Sequence, residues 1–98
     1  LSDNYYISSN RESGEGRFDI ELQPKSRGGH GYIMEFKACR EAELEKMADS
    51  AVVQIKQKGY TTNLEKRGVA KIGMFGVAFS GKKVNVAYEE YSVKKHRK

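Results

Sequence analysis

The run Gly16-Arg17-Phe18-Asp19-Ile20-Glu21-Leu22, followed across a turn rich in Pro, Ser and Gly by Tyr32-Ile33-Met34-Glu35-Phe36-Lys37-Ala38, decides how this chain is built. Phe18, Ile20 and Leu22 alternate with Arg17, Asp19, Glu21 and Gln23, the period of two of a strand with one wet face. In the second run Tyr32, Met34, Phe36 and Ala38 share a face, so Glu35 and Lys37 point together to the other side, beside Ile33 and Cys39. A hairpin of the two strands brings Asp19, Glu35 and Lys37 within reach of one another. Two carboxylates at this spacing suit a hard divalent cation held through oxygen, at about 2.0–2.1 Å for Mg²⁺, with the remaining positions open to water and a substrate phosphate. A lysine beside them orients an attacking water and stabilises charge building on the phosphate. The same triplet also describes an amphipathic hairpin whose charged face is solvated and cross-paired.

Working outward, 98 residues with 38% hydrophobic content make one small domain with a modest core. The expected domain spans residues 1–93, followed by a basic tail at 94–98. No apolar run approaches the length of a membrane span, and Leu1-Ser2-Asp3-Asn4 has no signal-peptide character. One cysteine excludes an internal disulfide and a cysteine-based zinc cluster. The expectation is a cytoplasmic protein with no membrane partner. Eighteen Lys and Arg against thirteen Asp and Glu give a net charge of +5, a balance that favours polyanions because neutralised phosphates release counterions. Acids at Asp19 and Glu35 within a basic whole are what a metal-dependent enzyme acting on nucleic acid requires.

Along the chain, Tyr5-Tyr6-Ile7-Ser8-Ser9 is β-prone and predicts a first strand, with residues 10–16 as the turn into the second. Glu12, Glu15 and Arg17 then lie beside the proposed acids. The connector at 23–31 holds Pro24 and three glycines, too broken for a regular element. Lys25, Arg27 and His30 on it either touch a phosphate backbone or are simply solvated. From 40 to 58 the period changes to 3.6: Leu44, Met47, Ala48, Ala51, Val52 and Ile55 form an apolar stripe that lies across the sheet. Gln54 sits at the margin of that stripe, placed to project toward Glu35 and Lys37 or to remain an ordinary surface residue. Gly59 caps the helix, Tyr60 stacks on a base or covers the core, and Thr61 or Thr62 caps a short helix through 63–67. Residues 70–79 read as a central strand buried on both faces, reached by a crossover from the third strand. Val84, Val86 and Tyr88 alternate with Asn85, Ala87 and Glu89 in a closing edge strand.

The segment Asn10-Arg11-Glu12-Ser13-Gly14-Glu15-Gly16-Arg17-Phe18-Asp19, then Glu35-Phe36-Lys37, then Gln54-Ile55, then Gly76-Val77-Ala78-Phe79-Ser80-Gly81-Lys82, resembles the PD-(D/E)XK nuclease superfamily. Within it the chain is most similar to the nuclease-type domain at the C-terminus of many bacterial AAA-ATPase-like proteins, over about residues 5–88. The resemblance implies an α/β fold: a mixed sheet flanked by helices, a restriction-endonuclease-like core of order βββαβ plus a closing strand, here without the N-terminal helix that relatives carry. It implies Mg²⁺- or Mn²⁺-dependent hydrolysis of a phosphodiester, with Asp19 and Glu35 holding the metal, the Phe36 carbonyl adding an oxygen and Lys37 assisting the water. Gln54, Arg17 and Glu12 form a second rank, and Phe18 stands where relatives have proline. The expected partners are double-stranded or branched DNA, as for the junction-resolving members, and a second copy of the chain covering the face left open by the missing helix. The other reading is a noncatalytic nucleic-acid-binding or regulatory module of a longer ATPase-linked protein.

Overall fold

The structure, a computed structural model, describes the backbone of residues 4–12 and 17–93 and the side chains of residues 4–9 and 20–93. Strand β1 (Tyr5–Glu12) pairs antiparallel with β2 (Arg17–Pro24), and β2 antiparallel with β3 (His30–Ala38). Strand β3 runs parallel to β4 (Lys71–Ser80), which returns antiparallel as β5 (Lys83–Ser92). The order is β1-β2-β3-β4-β5 in one five-stranded mixed sheet. The parallel step requires a crossover, supplied by a 3-10 turn (Glu41–Glu43), α1 (Leu44–Gln57) and α2 (Thr62–Lys66). This is the expected α/β architecture, consistent with a restriction-endonuclease-like fold. Strand β1 runs longer than the five residues expected of it, because Asn10, Arg11 and Glu12 continue the pairing opposite Asp19, Phe18 and Arg17. Residues 13–16, the rest of the expected turn, and the tail at 94–98 lie outside the described residues.

Helix α1 buries Ala48, Ala51, Val52 and Ile55, four of the six stripe residues. It ends at Gln57 with Lys58 as its C-cap, and Gly59 at φ 69° turns the chain out of the helix, the left-handed step that glycine takes without a Cβ clash. Thr61 precedes α2 without a side-chain cap; its hydroxyl pairs instead with Glu65, at 3.2 Å. The core under the helices consists of Ile33, Val52, Ile55, Leu64, Val69, Ile72 and Met74.

The face that α1 covers differs from the one the apolar alternation suggests. Gly31, Ile33, Glu35 and Lys37 are buried on β3, whereas Tyr32, Met34 and Phe36 are only half-buried. Likewise β4 is not buried on both faces: Ile72, Met74, Gly76 and Ala78 are buried, and Phe75, Val77 and Phe79 on the opposite side are partly exposed. The cause is size. A Cβ on Gly76 would stand 2.2 Å from the Ala48 carbonyl oxygen and 2.9 Å from the Ala51 Cβ, so the helix descends onto the small residues of β4. The aromatic side offers no such trough.

Candidate active site

Glu35 and Lys37 stand two residues apart on β3, hence on one face, and that face is the one beneath α1. Glu35 is 0% exposed and Lys37 8%, and among the described residues they are the only buried polar or charged ones. The Lys37 Nζ lies 4.0 Å from the Glu35 Oε2. Across β2, Asp19 is in direct register with Glu35, so the two positions share the face; the Asp19 side chain lies outside the described residues. On the other flank Gly76 is in register with Glu35 and Ala78 with Lys37. The pair is therefore walled by small residues and roofed by the helix. Removing charges from water costs several kcal/mol per ion even after relaxation, so a fold that gathers opposite charges there marks a functional-site candidate.

Glu12 and Arg17 face each other across the β1–β2 pair, with their side chains outside the described residues. Phe36 lies between Glu35 and Lys37, its ring half-buried on the opposite face. Gln54 is half-buried on α1, three residues beyond Ala51, whose Cβ lies over Gly76; that is about 4.5 Å farther along the helix axis. Lys25 and Arg27 are exposed on the connector between β2 and β3, and His30 is exposed at the start of β3, five residues from Glu35 along the strand and thus roughly 17 Å away. Lys25 instead sits 5.1 Å from the centroid of the Tyr6 ring, and Arg27 lies against the turn at Gly68. Tyr60 is half-buried against the core with the Lys58 ammonium 5.7 Å from its ring centroid. Cys39 is a half-buried free thiol.

One group was missed by sequence reasoning. Ser8, Ser9, Ile20, Glu21, Ile33, Tyr60 and Asn63 line a cavity of about 360 Å³. The Asn63 amide nitrogen lies 3.3 and 3.4 Å from the two Glu21 carboxylate oxygens. Glu21 was legible as the residue two beyond Asp19 on the same strand face. Asn63, 42 positions away, carries no such signal.

Among the described residues no three His, Cys, Asp or Glu side chains are grouped to hold a metal ion. None of the described helices is long and apolar enough to cross a membrane. A family model of the PD-(D/E)XK nuclease superfamily matches residues 1–89. The chain belongs to that superfamily, whose members are nucleases that generally use divalent metals. Comparison with curated proteins and with solved structures returned no match.

Proposed function

We propose that the chain is an Mg²⁺- or Mn²⁺-dependent DNA endonuclease whose site is built on Asp19, Glu35 and Lys37. The observation that carries the reading is the buried Glu35–Lys37 pair on β3, 4.0 Å apart, with Asp19 directly in register beside it. The donor set fits the metal: two carboxylate positions and the Phe36 carbonyl are oxygen ligands, with no His or Cys among them, and Mg²⁺ is usually held by one or two carboxylates plus water and phosphate. When bound, such an ion polarises the phosphoryl oxygens and acidifies a water. Glu35 and Asp19 are the residues proposed to hold it. Lys37 positions the attacking water and neutralises charge on the phosphate, an effect strengthened by exclusion of solvent under α1. Gln54 supports the site from the helix, Arg17 and Glu12 flank it, and Lys25, Arg27 and Tyr60 contact the nucleic acid farther along the sheet. An excess of five positive charges draws the polyanion in.

The finer parts of the reading are a cytoplasmic, bacterial setting, a place in a longer AAA-ATPase-linked protein, and a preference for branched DNA of the Holliday-junction kind. The partner proposed for the uncovered sheet face is a second copy of the chain. Ile7, Val84, Val86 and Tyr88 are exposed there, and Tyr5, Tyr32, Phe75 and Tyr88 form a run of neighbouring rings with centroids 6.4, 6.1 and 4.6 Å apart. Five strands of about eight residues span about 24 by 26 Å, or roughly 600 Å². Side-chain relief brings this toward the ~800 Å² per partner of a stable interface.

Supercoiled plasmid and a four-way DNA junction, each incubated with Mg²⁺, Mn²⁺ or chelator, test the proposal. Cutting that requires the metal is expected, with the junction cut faster. Salt-sensitive binding with no cutting under any condition would instead establish the noncatalytic module.

A further inference from the structure

The cavity beside the Glu35 row has no part in the hydrolytic chemistry, yet it is built like a ligand site. Its volume of about 360 Å³ falls in the range of small-molecule pockets. Its floor is apolar, from Ile33, one wall is Tyr60, and its polar side chains are Ser8, Asn63 and Glu21. The Asn63–Glu21 contact joins the crossover to β2 and fixes the carboxylate at the edge of the cavity. A carboxylate there repels a phosphate and accepts from N–H donors. A flat apolar slot with an aromatic wall and an acceptor edge fits a nucleobase. Guanine presents two adjacent N–H donors to one carboxylate, matching the two-oxygen geometry that makes bidentate contacts strong. Thymine presents a single N–H between two carbonyls that a carboxylate repels.

Position supplies the second argument. Glu21 is in register with Ile33, two residues before Glu35, so the cavity adjoins the proposed cleavage row at about 7 Å along the strand. A base whose nucleotide is held at Glu35 reaches it only when its pairing edge is free, because a base in a duplex is stacked and paired. We infer that this cavity receives an unpaired base, guanine in preference, from the nucleotide next to the phosphate held at Glu35. The inference rests on the nuclease reading and names the feature of its substrate: an unpaired nucleotide at the cleavage point.

The probe is a set of short single-stranded DNAs, uniform in thymine except for one central guanine, adenine, cytosine or abasic position. Binding is measured by fluorescence anisotropy in chelator, where nothing is cut. Wild type is expected to bind the guanine strand about 5- to 160-fold tighter than the abasic one, the range of one base stacked on one aromatic ring. Glu21→Gln removes the preference for guanine over adenine while retaining preference over the abasic strand. Tyr60→Leu, which keeps the core covered, brings every strand to the abasic affinity, with circular dichroism confirming the fold. Wild type that binds guanine and abasic strands equally, or binds neither, overturns the inference. Metal-dependent cutting without base discrimination overturns it while leaving the nuclease reading intact. Discrimination by a protein that cuts no DNA supports the pocket and overturns the nuclease reading alone.

Discussion

Glu35 and Lys37 occupy positions where apolar residues of similar size would pack at lower cost, because two charges withdrawn from water recover their desolvation only partly through mutual attraction. This sets up a test at the scale of single residues. Glu35→Met or Lys37→Met alone unbalances the charge buried beneath α1 and is expected to lower stability by about 3–5 kcal/mol, whereas the double substitution is expected to recover that loss. Urea denaturation measures all three, and a double variant no more stable than either single one would show the pair to be structural. The pair itself was legible, since an i, i+2 spacing on a strand settles co-facing. Its burial was not, because that depends on where a helix 14 residues long comes to rest. Tyrosine titration offers a second test. The Tyr88 hydroxyl donates to Glu90 at 2.6 Å, and that bond, with burial and the Glu90 charge, raises its pKa from 10.0 to about 12. Burial first, and then the bond to Glu65, also raise that of Tyr91. Folding therefore favours the protonated phenol of Tyr88, and this contribution is complete below pH 10 and disappears as pH rises toward 12. Absorbance titration of the six tyrosines should show a late phase near pH 12 that Tyr88→Phe removes.

At the scale of elements, the placing of α1 on the sheet decides which residues become a site. Alternation made the strands readable and the stripe from Leu44 to Ile55 made the helix readable. Neither identified the covered face, because β3 carries Ile33 on one side and Tyr32, Met34 and Phe36 on the other. The deciding features are the absent side chain at Gly76 and the methyl groups of Ala48 and Ala51, which allow the helix to approach to backbone distance. Gly76→Ala places a methyl 2.2 Å from the Ala48 carbonyl and is expected to cost about 1–3 kcal/mol or more. The displaced helix also admits water to Glu35 and Lys37, so cleavage should fall alongside stability. A Gly76→Ala protein with an unchanged denaturation midpoint would contradict this placement of α1.

Over the whole molecule, one sheet face is roofed and charged within, while the other is open and largely aromatic and aliphatic, with the Lys71–Glu90 ion pair at one end. Copies stacking through the open face leave both roofed sites on the outside of the pair. Val86→Lys on that face is expected to convert a dimer into a monomer in sedimentation equilibrium without altering secondary structure. A wild type that is monomeric at every concentration would remove the dimer from the account. The composition made the net positive charge legible, but the Glu21–Asn63 cavity depends on two residues 42 positions apart and no local pattern announces it. Asp19, Glu35 and Lys37 are proposed to cut a phosphodiester with a magnesium-class ion. Single-turnover nicking of supercoiled plasmid in Mg²⁺ by wild type, Glu35→Gln and Lys37→Met tests it most directly, once circular dichroism has shown all three folded. Nicking by wild type, reduction by about 10²–10³-fold in Lys37→Met and nicking no faster than in chelator by Glu35→Gln are the predicted result. Folded variants that nick at the wild-type rate would contradict it.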